Sequence, residues 1–182
     1  MSQEMSIRAA SLVLRLRAPM AAAIVALSVG AAAADETEFL QRFAGSWAGS
    51  GSVQRKADEG PRRVTCRIKG APSQNGVSIG GTCRAAVVFT RDIGIDVRVD
   101  PGSGRYTGTY TGSTIGPASV SGRRRGDAVT LTITWPKPVN GDTEATMTIR
   151  NDGAGRLSIS VTDKMPDGGE VQTTNVTFEK RA

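Results

Sequence analysis

The stretch Ile93–Gly112, IGIDVRVDPGSGRYTGTYTG, sets the terms for the rest of the chain. Ile93, Ile95, Val97 and Val99 alternate with Gly94, Asp96, Arg98 and Asp100, the period of a strand with one wet and one dry face. Pro101–Gly104 then turns the chain into a second alternating segment, in which Tyr106, Gly108, Tyr110 and Gly112 share a face. The rhythm recurs in VTCRIKG, GVSIGGTCRAAVVF, ASVSGRR, DAVTLTITW, TEATMTIRN, RLSISVTDK and EVQTTNVTFEK, separated by Gly, Pro, Asn and Asp. That makes roughly nine or ten short strands at the spacing of a sandwich or barrel. Only Glu36–Arg42 reads as a helical turn, and neither a repeat nor a linker divides the chain.

Hairpins with one apolar face each must hide that face and both sheet edges, and a closed antiparallel barrel does both. The expected fold is therefore all-β, an antiparallel up-and-down barrel of roughly 8–10 strands. An immunoglobulin-like sandwich is the alternative, but its widely spaced Cys pair with a Trp between them has no counterpart in this chain.

The first residues read as an export signal. Arg8, Arg15 and Arg17 precede an uncharged run from Ala18 to Ala34, and Ala32 and Ala34 fit the small positions before a cleavage site. The run spans residues 18 to 34, short of the ~20 apolar residues a membrane-crossing helix needs. Cleavage after Ala34 is expected, leaving residues 35–182 as one domain in the periplasm or outside the cell, with no transmembrane segment. Arg8, Arg15, Arg17 and Glu4 leave with the signal, so the net charge of +6 falls to +4. No dense basic patch or aromatic platform points to nucleic acid.

The chain contains no histidine. A Ser-His-Asp or Cys-His site is therefore impossible, and the commonest metal and haem ligand is missing. No pair of acids stands out as catalytic, so the expectation is a protein that is not an enzyme and carries no cofactor or metal. Met147 and Met165 have no His or free Cys nearby and read as core and turn residues rather than metal ligands.

Cys66 and Cys83 are the two cysteines, placed almost symmetrically about Gln74-Asn75. Asn75-Gly76 is a strong hairpin turn. The cysteines are thus expected to face each other across two antiparallel strands as a structural disulfide, since a redox pair normally has Cys-x-x-Cys spacing.

FAGSWAGSGSV (Phe43–Val53) resembles the first strand of calycin-type barrels, the lipocalins, avidins and fatty-acid-binding-protein-like domains. Gly45-Ser46-Trp47 is similar to the Gly-x-Trp by which lipocalins enter their barrel. In that family the Trp packs across the barrel floor against a late basic residue, a role the resemblance offers to Lys180 or Arg181. GRYTGTYTGS (Gly104–Ser113) resembles the Thr-Gly-Thr-Tyr strands of avidin-like barrels. CRIKG and GGTC resemble the Cys-bounded hairpin of small periplasmic metalloprotease inhibitors of the same fold. In those inhibitors the mature N-terminal tail, here Asp35–Phe39, enters the protease cleft.

These likenesses imply a binding protein. The leading expectation is a periplasmic carrier or sensor for a small, largely apolar ligand, with Trp47 at the floor and Val97, Val129, Leu131 and Ile133 as lining. Trp135, Tyr106 and Tyr110 are the candidate ligand contacts, although the tyrosines read equally well as clamps over glycines on the outer surface. A protein-binding module such as a protease inhibitor is the second expectation, and a structural envelope protein the third. Arg123-Arg124-Arg125-Gly126-Asp127 lies between two strands and is expected to be a solvated hairpin tip.

Overall fold

The computed structural model describes residues 34–55, 59–86, 89–165 and 167–182. The expected signal segment lies outside them, apart from Ala34. A helix α1 (34–41) leads into ten strands: β1 (Gly45–Val53), β2 (Arg62–Ser73), β3 (Gly76–Ala85), β4 (Phe89–Asp100), β5 (Arg105–Thr111), β6 (Ala118–Arg125), β7 (Ala128–Val139), β8 (Asp142–Asn151), β9 (Arg156–Lys164) and β10 (Glu170–Lys180). Each strand pairs antiparallel with its neighbours in sequence, and β1 pairs with β10 to close the barrel. The seam runs from Trp47 opposite Lys180 to Val53 opposite Thr174. The barrel replaces the sandwich alternative because closure leaves no unpaired edge for a second sheet to shield.

Alternation decides what points inward. On β4 the buried residues are Ile95, Val97 and Val99, and on β7 they are Val129, Leu131, Ile133 and Trp135. Asn75-Gly76 turns β2 into β3 and puts Cys66 opposite Cys83, with Cα atoms 4.0 Å apart and the sulfurs at disulfide distance. Both tyrosines of β5 face inward. Gly108 between them serves a different need: a Cβ there would run into the Asp96 carbonyl and Val97 Cα of β4, so glycine lets the two strands close up.

The two ends differ. The end at Trp47, Val99, Tyr106 and Leu131 is filled by buried side chains and capped by α1, whose Phe39 and Leu40 are fully buried. Phe43 follows, and its carbonyl lies where a side chain on Gly70 would have to be, which lets the α1–β1 corner press onto β2. Trp47 is buried here; its Nε1 donates to Phe43 O at 3.1 Å and Lys180 Nζ lies 5.5 Å from its ring centre. Lys180, rather than Arg181, is the basic residue over the indole. Among the described residues no helix is long and apolar enough to cross a membrane.

Arg124 holds the cap. Its guanidinium donates to Glu36 Oε2 at 3.1 Å and pairs with Asp35, and it sits 4.8 Å from the centre of the Phe39 ring. Glu36 also accepts the Tyr106 hydroxyl, and burial together with that bond raises the Tyr106 pKa. Arg42 reaches Asp127 at 2.8 Å. The Arg123–Asp127 segment is the expected hairpin tip, with Arg123, Arg125 and Gly126 exposed, but Arg124 and Asp127 turn it into a clasp for α1. The Arg124 side chain is only 14% exposed.

Residues 35–39 were expected as a free tail in the inhibitor-like reading. They are instead helical and docked, because Phe39 and Leu40 of α1 have the barrel end to bury against.

Candidate functional site: the open end of the barrel

Opposite α1 the barrel is hollow. A cavity of about 990 Å³ opens among the β1–β2, β3–β4, β5–β6, β7–β8 and β9–β10 connections. Its walls are chiefly apolar, with Ile68, Ile79, Ile95, Met147, Ile159 and Val161 below and Phe89 and Ile115 at the rim. The Cys66–Cys83 pair forms part of one wall. Val97, Val129, Leu131 and Ile133, expected as lining, lie instead in the packed half. They share the inward face but sit toward the capped end, a difference of height that alternation does not encode.

The candidate contacts separate by height as well. Tyr110 and Trp135 line the cavity and meet edge-on, with ring centres 6.0 Å apart and planes at 70°. Burial raises the Tyr110 pKa, with Arg91 pulling the other way. Tyr106 lies at the capped end, bonded to Glu36, and Trp47 lies beneath the cavity against Lys180.

A polar group that the sequence reading overlooked stands beside Trp135. Asp163 is 3% exposed and lines the cavity near the mouth. A bulge in β10 between Gln172 and Thr174 turns Thr173 inward, and its Oγ1 donates to Asp163 Oδ2 at 2.7 Å. Burial pushes the Asp163 carboxyl above the usual carboxylate range, against the pull of Thr173, Trp135 and Asn140. Although Trp135 lies close enough to act on this charge, neither Asp163 Oδ1 nor Trp135 Nε1 closes a hydrogen bond of ordinary geometry among the described residues.

Three arginines stand around the mouth. Arg55 and Arg62 share Glu59, at 3.4 and 3.7 Å, and Arg91 reaches Gly112 O at 3.5 Å. Among the described residues no group of three or more His, Cys, Asp or Glu side chains is placed to hold a metal ion.

A raised carboxyl pKa in the folded state means that folding favours the protonated acid. The resulting stability is present in full below the unfolded carboxylate pKa and lost as pH rises through the folded one. Asp163→Asn carries no such penalty. The variant is therefore expected to gain stability over the parent as pH rises from about 4 to about 7. Urea denaturation across that range checks it; a difference independent of pH would contradict a buried ionisable Asp163.

The fold and this cavity define a class: closed ten-stranded antiparallel barrels, capped by a helix at one end and hollow at the other. The chain is similar in structure to Rv2717c from M. tuberculosis, whose crystal structure superposes with a TM-score of 0.59 at 16% sequence identity. The match covers 79% of this chain and 95% of that one, and at this identity it speaks for the fold alone. No family model matches the chain, and no curated protein does.

Proposed function

We propose that the protein is an exported, calycin-like binding barrel without enzymatic activity, a carrier or sensor for a small, largely apolar ligand. The observation that carries the reading is the hollow half of the barrel. Its volume of about 990 Å³ stands at the upper end of the ~300–1,000 Å³ typical of small-molecule sites. Apolar walls with a few polar groups at one end suit a molecule that is mostly hydrocarbon with a single polar head. The docked α1 leaves the inhibitor reading without the free tail it needs. Export is supported by the signal-like residues 1–34 and by a cysteine pair at disulfide distance, which an oxidising compartment preserves.

The neutral fluorophore N-phenyl-1-naphthylamine tests the reading. Titration is expected to give a saturable rise in emission at one dye per barrel. Ile159→Trp, which projects an indole into the cavity, is expected to weaken binding at least about tenfold while the melting temperature holds. Dye uptake that is absent, or indifferent to Ile159→Trp, would sink the proposal.

A further inference from the structure

The cavity wall contains a donor and an acceptor side by side, neither of which closes a hydrogen bond of ordinary geometry. Trp135 Nε1 can only donate, and Asp163 Oδ1 accepts when the carboxyl is ionised. Both side chains are at least nine-tenths buried, at 9% and 3% exposed, and neither atom closes a hydrogen bond of ordinary geometry among the described residues, although Trp135 and Asn140 both stand close enough to pull on the carboxyl. Their geometry follows from the strands. Asp163 on β9 and Ile133 on β7 are both in register with Ala145 of β8, and Trp135 follows Ile133 two residues on along the same inward row, where the β7–β8 register breaks. Thr173 fixes the carboxylate through Oδ2, and Tyr110 meets the indole edge-on.

Unpaired buried polar atoms are costly, and a site built to bond a substrate hydroxyl discriminates strongly against analogues that lack it. We propose that this pair is the head-group anchor of the cavity and that the ligand is a long apolar molecule ending in a hydroxyl. The inference rests on the binding reading above. The hydroxyl oxygen accepts from Trp135 Nε1–H and its proton goes to Asp163 Oδ1, with the hydrocarbon lying along Met147, Ile159 and Ile79. A carboxylate head has no proton to give and sets a second negative charge beside Asp163. An ammonium head satisfies Asp163 but leaves the indole N–H without an acceptor. The rim arginines do not form a carboxylate clamp, because Arg55 and Arg62 are engaged by Glu59 and Arg91 reaches toward a backbone carbonyl.

The test is displacement of N-phenyl-1-naphthylamine by a 1-alkanol, a fatty acid and an alkylammonium salt of one chain length, at neutral pH. The alkanol is expected to displace dye at roughly tenfold lower concentration than either charged analogue. Asp163→Leu and Trp135→Phe are each expected to weaken the alkanol about fivefold to tenfold; Asp163→Leu, which removes the facing negative charge, is expected to tighten the fatty acid, and Trp135→Phe to leave it unchanged. A fatty acid or ammonium that matches the alkanol on the parent protein overturns the assignment, as does an alkanol preference that survives both substitutions. Should Asp163→Leu fail to fold, Trp135→Phe carries the test alone, since it removes the indole N–H and keeps an aromatic ring. Dye that binds without any head-group preference removes only this inference; dye that does not bind the parent protein removes the binding reading with it.

Discussion

Phe39→Ala is expected to cost about 4 kcal/mol of stability, within the range for truncating a fully buried aromatic residue. For a domain of this size that lowers the melting temperature by about 10 °C. Phe39 is 0% exposed, meets Phe43 edge-on with ring centres 5.3 Å apart and lies beneath the Arg124 guanidinium. Truncation leaves a void in the seat of α1 and takes away the ring over which Arg124 is folded. Asp35→Asn, which loosens one exposed arm of the same clasp, is expected to cost less than about 1 kcal/mol. Thermal melts followed by circular dichroism separate the two. A near-normal melt for Phe39→Ala would mean that α1 is an appendage and not part of the barrel's core.

The cysteine pair carries the second large effect. Cys66 and Cys83 are separated by 17 positions, and closing a loop of that length is worth about 3 kcal/mol in the chain-entropy account. The double Cys→Ala variant is expected to melt about 10 °C lower than the oxidised parent, and reductant is expected to bring the parent down to a similar point. Because the pair also forms part of the cavity wall, the same variant should bind N-phenyl-1-naphthylamine differently. A parent protein whose melt ignores reductant would show that the sulfurs are not joined in solution.

Much of the fold was legible because the side-chain period of a strand is two. The alternation of Ile93, Ile95, Val97 and Val99 marks the inner face of β4, and Asn75-Gly76 sets the β2–β3 register that brings the cysteines together. The same parity also held information about the site that hydrophobicity alone concealed. Arg124 continues the inward series Ala118, Val120 and Gly122, and Asp163 continues Leu157, Ile159 and Val161. A charged residue that ends an apolar row marks the place where the row meets an end of the barrel: Arg124 meets the cap and Asp163 meets the mouth. Arg124 reads with its exposed neighbours Arg123 and Arg125, and Asp163 reads only as one residue of the strand RLSISVTDK. Height along the barrel stayed hidden, since Tyr106 and Tyr110 share a face and a strand, yet one braces α1 and the other lines the cavity. The Thr173 bulge shifts the parity of β10 and so left no periodic trace.

Closure through β1 and β10 has a consequence for how the molecule comes into being. Every other pairing joins strands adjacent in sequence and can form as a local hairpin, but this seam joins the two ends of the domain. Until residues 174–180 arrive, β1 and whichever strand is outermost present bare amide edges to solvent and to other chains. The growing sheet is therefore exposed to mispairing for as long as its last strand is missing. A chain truncated before β10 loses more than one strand in ten: it has no interior to offer a ligand, and it keeps two edges on which to aggregate.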